Sequence, residues 1–186
     1  MNTTLKIKIH QTPLKDVLVI EPKVFGDERG WFYESFNQQE FHRATGVNCQ
    51  FVQDNHSLSK QGILRGLHYQ TKDVQGKLVR VAKGSVFDVA VDLRKQSPSY
   101  GKHVCVELSQ ANGLQFYIPP GFAHGFQALE DDTIFTYKCT DYYSATDELT
   151  IRWNDPQLAI EWPITPALTS PKDDLGLLFN EFNSPF

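Results

Sequence analysis

Apolar and polar positions alternate along most of the chain in short runs, each closed by glycine, proline or an Asn/Asp turn, a pattern of β-strands rather than helices. Within Leu14 to Pro22 the run Val17-Leu18-Val19-Ile20 predicts a buried strand. Phe25-Gly26-Asp27-Glu28-Arg29-Gly30-Trp31-Phe32 predicts a turn leading into an aromatic strand. Leu78-Val79-Arg80-Val81, a turn at Lys83-Gly84 and the run Val86 to Leu93 predict a hairpin. In its second strand Phe87, Val89, Val91 and Leu93 share one face, and Asp88 and Asp92 the other. Val104, Val106 and Leu108 alternate with Cys105 and Glu107, Asn112-Gly113 marks a tight turn, Phe116-Tyr117-Ile118 is apolar, and Thr133 to Cys139 places Phe135 and Tyr137 on one face. Strands so short and so regularly interrupted indicate an all-β sandwich or barrel.

Helical signals are few. Asn37 with Glu40 three residues on reads as a capping box, Phe41 as an apolar anchor and Gly46 as a stop. Pro156, Pro163, Pro166 and Pro171 break the carboxy-terminal part into extended pieces, and Ser170-Pro171-Lys172-Asp173 reads as a helix start with Asp173 at the capping-box position. There is no internal repeat, low-complexity tract or linker, and 186 residues suit one core. The expectation is a single domain over 1–186, its core at about 14–156 and an extension at 157–186.

A formal net charge of −4 argues against bulk binding to nucleic acid or an anionic membrane, so an anionic ligand must be met by local cations. Cys49, Cys105 and Cys139 are odd in number and unpaired in spacing, which fits reduced thiols in a cytoplasm. The run Met1 to Lys8 lacks the apolar stretch of a signal peptide, and no stretch is long enough to span a bilayer.

The densest chemistry lies in Arg65-Gly66-Leu67-His68-Tyr69-Gln70 with Lys77 close behind. A histidine takes a proton near neutrality without much tuning, and cations placed beside it stabilise negative charge growing on a nearby oxygen. On a regular strand Arg65 and His68 point to opposite faces, so a shared site requires a bulge at Gly66 or an Arg65 that precedes regular pairing. The alternating side chains of Phe51 to Ser57 suit either the wall of a polar cavity or a polar edge.

Pro119-x-Gly121-x-x-His124 resembles the second motif of the cupin superfamily, whose fold is a small jelly roll. In metal-binding cupins the first motif supplies His-x-His and a glutamate; here it reads His68-Tyr69-Gln70 with Val74 at the glutamate position, a poor cage for a transition metal, so no metal is expected. Lys77 is then a candidate for the electrophilic role that a metal plays elsewhere.

Taken together, Phe25-Gly26-Asp27-x-Arg29-Gly30-x-Phe32, Gln53-x-Asn55-x-Ser57, the Arg65 to Gln70 segment, Gly76-Lys77, Pro120 to Phe126, Trp153-Asn154-Asp155-Pro156 and Ser170-x-Lys172-Asp173 resemble the dTDP-4-dehydrorhamnose 3,5-epimerase family over nearly the whole chain. The resemblance implies a cofactor-free, homodimeric enzyme that inverts the two carbons flanking the ketone of a dTDP-linked 4-keto-6-deoxyhexose. It implies His68 as the base, Asp173 as the carboxylate orienting it, Tyr137 as the acid on the opposite sugar face and Lys77 beside the keto oxygen. It further implies Arg29 and Arg65 at the diphosphate, Phe25, Glu34, Gln53 and Asn55 at the base and sugar, His124 beside the reacting sugar, and Glu148 and Lys172 at binding positions. Epimerisation of one carbon only, a metal-dependent cupin and a non-catalytic binding cupin remain as alternatives.

Overall fold

The structure, a computed structural model, describes residues 6–186; the reading of the amino end at residues 1–5 lies outside the described residues. In chain order the elements are β1 (Ile7–Gln11), β2 (Leu18–Pro22), β3 (Phe25–Asp27), β4 (Gly30–Phe32), α1 (Gln38–Thr45), β5 (Gln53–Ser59), β6 (Leu64–Gln70) and β7 (Lys77–Lys83). There follow β8 (Ser85–Asp92), β9 (His103–Ser109), β10 (Gln115–Ile118), β11 (Phe122–Ala128), β12 (Thr133–Cys139), β13 (Glu148–Thr150) and α2 (Pro171–Asp174). A six-stranded sheet in the order β1-β2-β10-β7-β12-β5 faces a five-stranded sheet in the order β13-β6-β11-β8-β9, while β3 and β4 form a separate ribbon. All strand pairs within these sheets are antiparallel, as in a jelly roll. Among the described residues no helix is long and apolar enough to cross a membrane.

Three apolar layers account for this arrangement. Between the sheets, Val79, Val81, Phe116, Ile118 and Phe135 of one meet Val86, Ala90, Leu108, Phe122 and Phe126 of the other. Burying each large side chain of this kind is worth about 1.5–3 kcal/mol. Outside the five-stranded sheet, Leu67, Tyr69, Val89 and Val91 are covered by Leu158, Ile160, Phe179 and Phe182 from the proline-broken carboxy-terminal segment. Outside the six-stranded sheet, Leu18, Ile20, Leu78 and Tyr117 are covered by Phe41 of α1, joined by Phe36 and Phe51.

The predicted hairpin does not form. Its strands are present as β7 and β8, but β7 pairs with β10 and β12, whereas β8 pairs with β9 and β11. Gly84, at φ +78°, turns the chain from one sheet into the other, so the two strands put their inward residues on opposite walls of one core. The predicted faces of β8 are present, but both are buried: Asp88 and Asp92 are fully enclosed. The strand predicted on Val17 to Ile20 is present as β2 from Leu18, and Thr12 Oγ1, bonding with the carbonyls of Leu14 and Val17, holds the preceding residues in a turn. α1 forms as predicted, with the Asn37 side chain accepting from the Gln39 and Glu40 amides and Gly46 at φ +72° closing it. The Glu40 carboxylate does not complete a capping box, since it meets the Lys6 amide and Arg43 instead.

Candidate active site

Both readings of the Phe51 to Ser57 segment hold. β5 is an edge strand, and its alternate residues Gln53, Asn55 and Ser57 line a cavity of about 430 Å³ at the polar end of the sandwich. From β6 the same cavity takes Arg65 and His68, from β7 Lys77, from β11 His124, from β12 Tyr137 and from β13 Glu148; Lys172 of α2 closes one side. Arg65 and His68 share the cavity because β6 is bulged: His68 lies opposite His124 and Arg65 opposite Phe126, so three steps of β6 match two of β11. The bulge needs glycine. At φ +138°, a Cβ on Gly66 would sit 2.5 Å from Gly125 Cα.

His68 Nε2 is 2.6 Å from Asp173 Oδ1, and Ser170 Oγ donates to Asp173 Oδ2 at 2.8 Å. Asp173 thus serves the helix start and the histidine with different oxygens. Burial opposes its charge, but the His68 hydrogen bond and Ser170 outweigh burial and hold the carboxyl below its ordinary value. An ionised carboxylate only accepts, so in the neutral imidazole the proton lies on His68 Nε2 and Nδ1 is the acceptor. Nδ1 lies 3.9 Å from Glu148 Oε1, on the cavity side.

Burial also opposes the charge of Glu148, but Lys172, His68 and the Tyr143 hydroxyl, which donates at 2.9 Å, outweigh it and hold the carboxyl below its ordinary value. Burial lowers the proton affinity of the Lys77 ammonium, with Cys139, Glu148 and Asp88 opposing. Burial pushes the Tyr137 phenol up to about 12, which keeps it protonated and able to donate. Arg65 is tethered by Nε to Ser59 Oγ at 3.3 Å and presents its guanidinium at the cavity.

Other predicted residues lie elsewhere in the chain's own fold. Phe25 and Arg29 sit on the exposed β3–β4 ribbon, where Arg29 pairs with Asp27, and Glu34 bonds with Lys6 and Asn37 beside α1. Gln70 is directed at loop backbone, donating to the carbonyls of Asp73 and Tyr142 and accepting from the Ser144 amide. Among the described residues no three His, Cys, Asp or Glu side chains converge as metal ligands. Two contributors escaped the sequence reading. Tyr143 braces Glu148 and Gln53 from a loop with no motif, and Asp88 accepts from His124 inside the barrel although its alternation with apolar residues resembles that of a solvent face.

A jelly roll holding a carboxylate-backed histidine, a lysine and a tyrosine around one polar cavity belongs to the class of cupin-like acid–base enzymes. The sequence profile described as dTDP-4-dehydrorhamnose 3,5-epimerase matches residues 11–181. Similar proteins include the dTDP-4-dehydrorhamnose 3,5-epimerases of Shigella flexneri, 54% identical over 93% of this chain and 96% of the relative, and of Salmonella typhimurium, 56% identical over 92% and 94%. The crystal structure of dTDP-6-deoxy-D-glucose-3,5-epimerase from Legionella pneumophila, in complex with dTDP-4-keto-L-rhamnose, superposes with a TM-score of 0.93 at 50% identity, covering 95% of each chain. This chain belongs to the dTDP-4-dehydrorhamnose 3,5-epimerase family, whose members are sugar-nucleotide isomerases.

Proposed function

We propose that this chain inverts C3 and C5 of dTDP-4-dehydro-6-deoxy-D-glucose, giving dTDP-4-dehydro-L-rhamnose for cell-surface polysaccharide. The observation that supports this most directly is the convergence of His68, Lys77 and Tyr137 from three strands on one cavity, with the His68 Nδ1 lone pair turned into it. His68 Nδ1 removes the hydrogen beside the ketone, and the electron pair moves onto the keto oxygen as an enolate. The Lys77 ammonium stabilises that oxygen, and the Tyr137 phenol delivers a proton to carbon from the other face. After the first inversion His68 releases the proton it took to water and Tyr137 regains one from water, and repeating the sequence at the second carbon completes the reaction. Glu148, near Nδ1, stabilises the imidazolium that forms. Arg65 and Lys172 supply local positive charge for the diphosphate, and Gln53, Asn55 and His124 contact the nucleotide and sugar.

The enzyme is a cytoplasmic homodimer in this reading. Phe25, Arg29 and Glu34 match the family's binding positions but lie away from this chain's own cavity, and the ribbon carries Phe25, Trp31 and Phe32 exposed. A second copy accounts for both facts if each ribbon completes the partner's cavity. Mixing His68→Ala with Arg29→Ala protein then restores part of the activity, because one site of the mixed dimer has both residues; strictly additive residual rates would refute the arrangement.

The test of the reaction is proton NMR of the enzyme with dTDP-4-keto-6-deoxyglucose in heavy water. Loss of signal at both carbons flanking the ketone is the expected result. Exchange at one carbon makes this a single-carbon epimerase, and exchange at neither overturns the reading.

A further inference from the structure

We propose that Asp88 is a positioning residue for the reaction inferred above, on which this inference rests: its buried carboxylate selects the His124 nitrogen offered to the sugar and counterbalances the Lys77 ammonium beneath the keto oxygen. Asp88 leaves the apolar pattern of β8 and points into the barrel, where it is fully buried. A carboxylate enclosed in this way is costly unless it is hydrogen-bonded and its charge is matched.

His124 supplies the hydrogen bond. Its Nε2 lies 2.9 Å from Asp88 Oδ1 and 3.1 Å from Oδ2, and its ring is stacked on Phe135 with centroids 6.1 Å apart. Ring position and tautomer are set together. With the proton on Nε2, the other nitrogen is an acceptor, suited to a hydroxyl of the sugar; exchanging the tautomer would turn that acceptor into a donor. His124 also stands directly opposite His68 on β6, so a second protonated ring there would oppose proton uptake by the base.

Lys77 shares the cavity with His124 of β11, His68 and Arg65 of β6, Tyr137 of β12 and Glu148 of β13, stands opposite Cys139 of β12, and is within electrostatic reach of Asp88 of β8. Among the carboxylates at this site, Glu148 is matched by Lys172 and Asp173 by its bond with His68. Asp88 has no Lys or Arg bridge among the described residues, and burial lowers the proton affinity of its His124 partner. Lys77 has no ion pair among the described residues; burial pushes the Asp88 carboxyl up and the Lys77 ammonium down, and each group opposes the shift of the other.

The experiment compares the wild-type protein with Asp88→Asn. Nitrogen-15 NMR of histidine-labelled protein without substrate, with the His124 signals assigned by their absence in His124→Gln, reads the tautomer directly. The expected result is Nε2–H alone in the wild type and loss of that preference in the Asn variant. With substrate, kcat falls at least about tenfold with KM nearly unchanged, and the alkaline limb of kcat moves about one pH unit lower. Asp88→Glu returns the limb toward its original position, which a merely space-filling role does not predict. A single Nε2–H tautomer and an unmoved limb in the Asn variant overturn the inference. So does a protonated Nδ1 on wild-type His124 at neutral pH, whether or not the variant folds. Failure of the wild type to exchange protons at carbon refutes the reaction instead, since the tautomer measurement needs no substrate.

Discussion

His68 Nε2 lies 2.6 Å from Asp173 Oδ1, although 105 positions separate the two residues in sequence. His68 lies on a strand of the five-stranded sheet, whereas Asp173 arrives on a four-residue helix midway along the carboxy-terminal segment. Docking of that segment on the five-stranded sheet therefore also brings the His68–Asp173 pair together.

Removing the base should separate activity from stability. His68→Ala lowers kcat by about 10²–10⁴. The His68 side chain is 24% exposed and bonded to the buried Asp173, so the loss is that of one charge-assisted hydrogen bond, about 1.5–3 kcal/mol, and the melting temperature should fall by roughly 3–12 °C with the fold retained. Single-turnover NMR and a thermal melt on the same sample check both statements, and near-normal turnover would remove His68 from the mechanism.

Tyr137→Phe should uncouple exchange from inversion. With His68 intact, deuterium from heavy water still enters carbon on the face of the base, while product of inverted configuration forms about 10²-fold more slowly. Parallel loss of exchange and inversion would place Tyr137 before proton abstraction rather than after it.

Gly66→Ala should damage stability and site together. The new Cβ meets Gly125 Cα at 2.5 Å in a backbone conformation unfavourable to side chains, so β6 and β11 must separate where Arg65 and His68 are aimed. A destabilisation of about 2 kcal/mol or more in urea, with weaker substrate binding, is the expected result. A variant with wild-type stability would show that the bulge does not need glycine.

Asp92 should matter to stability alone. Fully buried, it accepts from the Arg94 side chain at 2.9 Å and from the hydroxyls of Ser97 and Ser99 at 2.6 Å each. Burial opposes its charge, yet these donors hold its carboxyl below the ordinary 3.8. A depressed folded-state pKa contributes stability that is complete above the unfolded value and disappears as pH falls through the folded one. Asp92→Ala is expected to cost about 3–5 kcal/mol at neutral pH and to flatten the loss of stability below pH 3.8, as followed by urea titrations across that range.

The alternation of side chains by itself determined where most strands run, that the chain is all-β, and how α1 begins and ends, because each depends on neighbours a few residues apart. The order of motifs carried the family resemblance, and it was that resemblance which pointed to His68, Lys77, Tyr137 and Asp173 as candidates. The tertiary structure decided which strands pair: β7 and β8 read as a hairpin, but each forms a different wall of the core, a choice made by packing against β10, β12, β9 and β11. It also decided what Asp88 is. Along the sequence it alternates with apolar residues as a solvent-facing aspartate would, and only covering the other face of β8 with the carboxy-terminal segment turns that polar face inward, toward His124. The placement of Phe25, Arg29 and Glu34 away from the cavity was equally invisible, since distance through space between a ribbon and a barrel has no counterpart in local pattern.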